Sequence, residues 1–271
     1  MSFSALMVHF DGEPSSHPRL RMAVDLARRF EAALIGIAGR PYLPSFRANE
    51  NAALQEKDEQ EEMTRALAEI GRRFSSVAKQ VAHAEWRGML GDVAQVVTNE
   101  ARAADLIVIG HRHDARSSYY TLDPSAAIVR MGRPVLLVPQ GVESLEARRV
   151  MMAWKDAREA RRAIRDAIPF LMRAEQVMIV EVCEHGEEAQ SQQHMKDLKE
   201  YLFRHEVVVA EQAYLHSEQP VASELLRFAK DEGADLLVAG AYGHSRLGEW
   251  IFGGVTRGLL ENSPICALFS H

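Results

Sequence analysis

No stretch of this sequence approaches the roughly 18 uninterrupted apolar residues that a membrane-crossing helix needs, so no segment reads as a span. Met1 to Gly12 has no basic stretch followed by a long apolar region, and so lacks the pattern of an export signal. Cysteine is scarce. Cys183 and Cys266 lie in apolar, strand-like runs without the spacing of a metal site or a disulfide framework, which points to a reducing, cytoplasmic setting. There is no excess of positive charge: 32 Lys and Arg face 38 Asp and Glu, a net charge of −6, which leaves no broad cationic field for a nucleic acid or an anionic membrane. Neither a P-loop of the Gly-x4-Gly-Lys-Ser/Thr kind nor a Gly-x-Gly-x2-Gly dinucleotide fingerprint occurs, so a P-loop NTPase and a Rossmann dehydrogenase lack motif support. With 17 Gly and 10 Pro near ordinary usage, no tract is biased enough to argue disorder.

What is present is a chain of 271 residues, 47% apolar, long enough for a full core and for two domains. Short apolar runs alternate with stretches of helical periodicity, the pattern of strand-helix-strand units in a mostly parallel sheet. The first half predicts strands at Ala5–Phe10, Ala33–Ala38, Val81–Trp86, Asp105–Gly110 and Pro134–Pro139. The second half repeats them at Arg149–Trp154, Gln176–Cys183, Glu206–Tyr214, Asp235–Gly240 and Pro264–Ser270.

The repeat is legible residue by residue. Ala104-Asp105-Leu106 returns as Ala234-Asp235-Leu236, and Pro134 as Pro264, at an offset of 130; nearer the start, Asp11 matches Asp156 at an offset of 145. The first half therefore carries about fifteen extra residues between its second and third strands, and Arg40 to Asn49 reads as an ordered excursion before a charged helix. A boundary near Gln140–Ala147 divides the chain into domains 1–143 and 144–271, a tandem duplication and not a solenoid. In Ala157–Leu171, Ala160, Ala163, Ile164, Ala167, Ile168 and Leu171 form an apolar stripe. Arg158, Arg161, Arg162 and Arg165 take the other face, most simply as a solvated surface and more sharply as a basic groove.

The chemistry concentrates in the segment from Gly240 to Thr256. Gly240 and Gly243 allow close backbone approach and positive φ where a strand ends, and Gly253-Gly254 opens a last helix toward Asn262. Free N–H groups at such a helix start form a cradle for phosphate oxygens, beyond the carboxyl ends of the strands where open α/β sheets bind ligands.

At these residues the sequence resembles the universal stress protein family, whose nucleotide-binding members carry Gly-x2-Gly-x9-Gly-[Ser/Thr] after the fourth strand; here it is Gly240-x2-Gly243-x9-Gly253. Strands ending in Asp11-Gly12 and Asp156, the Ala-Asp-Leu runs and the Pro-led last strands extend the resemblance over the whole chain as two copies. The resemblance implies two flavodoxin-like (adenine nucleotide alpha hydrolase-like) domains, each a five-stranded, mainly parallel sheet with helices on both faces. It implies ATP or a related adenine nucleotide, with or without Mg, in the second copy: Asp156 and Val182 near adenine and ribose, Ala239 and Gly240 beneath the sugar, and Gly243, Gly253, Gly254, Val255 and Thr256 around the phosphates. Gly254 departs from the pattern, since the family has Ser or Thr there, although Thr256 stands two positions on.

The first half differs at the same place. His113 replaces Gly243, and Asp123-Pro124 replaces Gly253-Gly254, a good helix start whose carboxylate would charge the spot where a phosphate lies. No nucleotide is expected in that half. His111-Arg112-His113-Asp114 reads as a solvated loop before it reads as a metal site, and His244-Ser245 lacks an acid to orient a nucleophile's base. The expectation is a stress-response sensor or regulator with, at most, weak ATP hydrolysis; no enzyme of adenylating type has motif support. The alternative is a scaffold that binds no nucleotide and works through an unknown protein partner. The resemblance further implies pairing of the last strands, Pro134–Pro139 with Pro264–Ser270, into an intramolecular pseudo-dimer, with further homodimerisation left open.

Overall fold

The computed structural model describes residues 2–41, 52–111, 122–182, 188–216, 219–243 and 254–271. It groups into two compact units, 3–133 and 134–271, the second joined by the first two residues.

In the first unit, strands β1 (Ala5–His9), β2 (Ala33–Arg40), β3 (Ala84–Leu90) and β4 (Leu106–Gly110) form a parallel sheet in the order β3-β2-β1-β4. Helices α1 (Ser16–Phe30), α2 (Ala52–Val77), α3 (Val93–Glu100) and α4 (Pro124–Arg130) alternate with them. The second unit begins with β5 (Val135–Val138) and continues with β6 (Arg149–Trp154), α5 (Arg158–Leu171), β7 (Gln176–Val182), α6 (Glu188–Phe203) and β8 (Glu211–Leu215). Helix α7 (Val221–Asp231), β9 (Leu236–Gly240), α8 (Gly254–Asn262) and β10 (Cys266–Ser270) complete it. Its strand order is β5-β10-β9-β6-β7-β8, parallel except for β5, which lies antiparallel to β10 with Leu136 opposite Leu268. That is the expected pairing of the two last strands.

The central strands are apolar on both faces because helices cover both. Leu6, Met7 and Val8 of β1, and Val150, Met151 and Met152 of β6, are fully buried. Right-handed crossovers put α5 and α6 on one face of the second unit and α7 and α8 on the other. The repeated Ala-Asp-Leu run has a structural cause. Asp105 Oδ2 accepts hydrogen bonds from the N–H groups of Ser4 (2.7 Å) and Ala5 (3.1 Å), and Asp235 accepts from those of Arg148 and Arg149 (both 3.0 Å). Each carboxylate ties the start of its fourth strand to the start of its first.

Two expected strand starts are corrected. Strand β3 starts at Ala84, not Val81, because Ala78–Gln80 forms a turn of 3-10 helix that Val81 closes. Strand β8 starts at Glu211, because Glu206 takes a left-handed φ of 62° in the turn that ends α6. The surplus of the first half lies largely in its helix: α2 runs 26 residues against 16 for α6. The proposed excursion beyond Pro41 lies outside the described residues, as do Cys183, His113, Asp114, His244, Ser245 and Gly253.

Candidate functional site

The strand sequence reverses between β6 and β9, and a crevice opens beyond their carboxyl ends. Gly240 ends β9 there, and glycine is required: a β-carbon would lie 2.5 Å from the backbone nitrogen of Ala160, so the first turn of α5 packs directly on it. Gly243 faces the same turn, where a β-carbon would stand 2.9 Å from Glu159 Oε2. Neither glycine needs positive φ, contrary to expectation; the left-handed residue of this loop is Tyr242, at φ 57°. Its N–H donates to Thr256 Oγ1 at 3.1 Å, so the Thr256 hydroxyl, buried in the first turn of α8, ties that helix to the loop. At Gly254 a β-carbon would meet no described atom within 4 Å, and Val255 beside it is exposed. Among the described residues, the start of α8 is thus unobstructed on the side of the missing hydroxyl.

The acidic groups are distributed unexpectedly. Glu159 is 3% exposed; its Oε1 accepts from Arg158 Nε at 3.0 Å, while Oε2 is sealed from solvent and makes no hydrogen bond among the described residues. Asp156 does not cap α5. Its carboxylate receives Arg161 (Nε 3.1 Å) and lies 3.9 Å from His194 Nε2. Asp156 lines a cavity of about 610 Å³ between α5 and α6, floored by Trp154, Ile164 and Leu198 and flanked by His194 and Tyr201. Along its rim run Arg158, Arg161, Arg162 and Arg165, the basic groove of the sharper reading.

Gly240 and Gly243 therefore pack on the first turn of α5, and Thr256 holds Tyr242 of the loop between them. Val182, half-buried at the end of β7 opposite Leu215, and Ala239, buried in β9 opposite Ala153, are strand positions. The sequence does not single out Glu159 or Trp154. Glu159 is hidden among arginines, and Trp154 has the pattern of an ordinary strand residue.

The first unit fills the equivalent space. Asp123 accepts from Ser125 N–H at 3.0 Å and caps α4, with Pro124 in its first turn. Arg19, 7% exposed, donates from Nε to the His9 carbonyl at 2.8 Å, lies 3.9 Å from Asp11, and covers Gly110. Burial would raise the Asp11 carboxyl, but His9, Arg19 and hydrogen bonds from the Glu13 N–H and the Ser16 side chain outweigh it and hold Asp11 below the usual range. Burial pushes His9 down to about 4. At the same spacing from Asp156 the second unit has Ile164 where the first has Arg19. Among the described residues no group of His, Cys, Asp and Glu is arranged to hold a metal, and no helix is long and apolar enough to cross a membrane.

The sequence profile of the universal stress protein family matches residues 2–139 and again 146–269. The chain belongs to the universal stress protein family. Among solved structures, a universal stress protein from Archaeoglobus fulgidus DSM 4304 superposes with a TM-score of 0.72 at 16% identity, covering 98% of this chain and 97% of that one. A functionally unknown protein from Pseudomonas aeruginosa PAO1 gives a TM-score of 0.64 at 12% identity, covering 99% and 92%. At such identity the likeness concerns the fold. No curated protein matches the sequence. As a tandem universal stress protein, the chain begins α8 of its second copy with Gly254, clear of described atoms, and caps α4 of its first with a carboxylate.

Proposed function

We propose that this universal stress protein is an adenine-nucleotide-binding sensor or regulator of the cytoplasm, with its two copies as domains 1–143 and 144–271 and one site, in the second. The observation that carries the reading is the contrast between helix starts: the Asp123 carboxylate accepts the Ser125 N–H at the start of α4, whereas at Gly254 of α8 a β-carbon would meet no described atom within 4 Å. Phosphate oxygens meet the N–H groups at the start of α8, where backbone donors and the helix dipole favour an anion. Gly240 seats the first turn of α5 against the carboxyl end of β9, and the sugar lies beside that turn. Glu159, an acceptor and not a donor, suits a ribose hydroxyl and repels phosphate, which confines the phosphates to the Gly254 side. The Gly254 departure removes one charged hydrogen bond, worth about 1.5–3 kcal/mol, so ATP binds more weakly than to a site with Ser or Thr.

A scaffold that binds a protein and no nucleotide is the second reading, favoured by the Glu159 carboxylate beside Gly243. The test is to purify the chain without added nucleotide, denature it and identify released small molecules by mass spectrometry, then titrate the stripped protein with ATP. Bound adenine nucleotide, or saturable ATP binding, is expected. Neither, up to millimolar ATP, would leave the scaffold reading.

A further inference from the structure

The arginines of α5 are not used by the nucleotide site. Arg158 is held by Glu159 and Arg161 by Asp156, but Arg162 and Arg165 make no ion pair or hydrogen bond among the described residues. Like charges three and four residues apart on one helix face oppose the helix slightly, so the stripe does nothing for the fold. It borders the cavity between α5 and α6, whose volume of about 610 Å³ lies in the range of small-molecule sites. Ile164 and Leu198 make its floor apolar. Trp154, 7% exposed, lines the cavity as well and adds an aromatic surface to it. At the same spacing from Asp11 the first copy has His17 and Leu20 in place of Arg162 and Arg165, so the feature belongs to the second copy alone.

We propose that this cavity binds a small organic anion with an apolar body, its carboxylate, sulfonate or phosphate held by Arg162 and Arg165 and its body lying on Ile164, Leu198 and Trp154. Two guanidinium groups on adjacent turns supply forked donors for one anionic head, and the apolar floor excludes a bare inorganic ion as the best ligand. Gly240, Gly243, Gly254 and Thr256 lie outside the cavity lining, whereas Asp156, placed near adenine by the resemblance, belongs to it, so the two sites adjoin at Asp156.

The probe is 8-anilinonaphthalene-1-sulfonate, an aromatic body with one anionic head, titrated by fluorescence into the full chain. The wild type is expected to bind one equivalent saturably, with affinity falling as salt rises. The Arg162→Ala/Arg165→Ala variant should bind at least tenfold more weakly at an unchanged melting temperature, because neither side chain has a partner among the described residues to lose. ATP binding should be the same in both proteins, and saturating ATP should leave the dye in place. Equal dye affinity in wild type and variant, binding insensitive to salt, or displacement of the dye by ATP would each overturn the proposal. Loss of ATP binding in both proteins with dye binding intact would instead fault the nucleotide reading alone.

Discussion

The guanidinium of Arg19 covers Gly110 so closely that a β-carbon on that glycine would overlap its Nη1. The glycine that the second copy uses to seat the first turn of α5 is used in the first copy to seat a buried cation. Arg19→Ala should cost about 3 kcal/mol in urea denaturation, because it leaves the Asp11 carboxylate buried without its cation. The Asp11→Asn/Arg19→Ile double variant, which removes both charges, should lose less than Arg19→Ala. A larger loss in the double variant would mean that Arg19 acts through packing and not through charge.

His9 should make the fold acid-sensitive well above carboxylate pH. Its ordinary value is 6.5 and burial lowers it to about 4, so the unfolded chain binds the extra proton between those values. The stability it confers is complete above pH 6.5 and declines as pH falls toward 4, by up to about 1.4 kcal/mol per pH unit. Asp11, lowered in the folded state, adds a further loss only below its ordinary 3.8. Unfolding free energy measured across this range should fall in the wild type and stay flatter in His9→Leu.

Most of the fold was legible because parallel strands buried on both faces are short, apolar and bounded, as Leu106–Gly110 and Leu236–Gly240 illustrate. Boundaries failed where a local turn overrode propensity: Glu206 carries a side chain compatible with a strand, yet its left-handed φ closes α6. The Asp123 cap was readable because Asp-Pro acts over two neighbouring residues. Arg19 over Gly110 and Glu159 beneath Gly243 were not, since each depends on residues far apart in sequence that meet only when a helix packs across a strand end.

Gly240 and Gly254 should respond in opposite ways to a side chain. Gly240→Ala drives a β-carbon into the backbone of Ala160 and should destabilise the second unit by about 1–3 kcal/mol. Gly254→Ser enters open space, should leave the melting temperature unchanged, and should tighten ATP binding about tenfold by restoring one donor to the phosphates. Calorimetry and ATP titration on the same preparations check both.

Thr256→Val should unseat the loop after β9. It deprives the Tyr242 N–H of its acceptor and should cost about 1 kcal/mol, with a parallel loss of ATP affinity as the loop loosens. Asp123→Ala should cost a similar amount by uncapping α4 and leave ATP affinity untouched.

The claim that one copy binds adenine nucleotide while the other has closed its site is tested most directly by calorimetric titration of the stripped chain with ATP, beside Gly254→Asp. The aspartate enters open space at a helix start, where it favours the fold and repels phosphate. The account predicts one ATP per wild-type chain and none in the variant at an undiminished melting temperature. Two sites per chain, or ATP binding that survives Gly254→Asp unchanged, would contradict it.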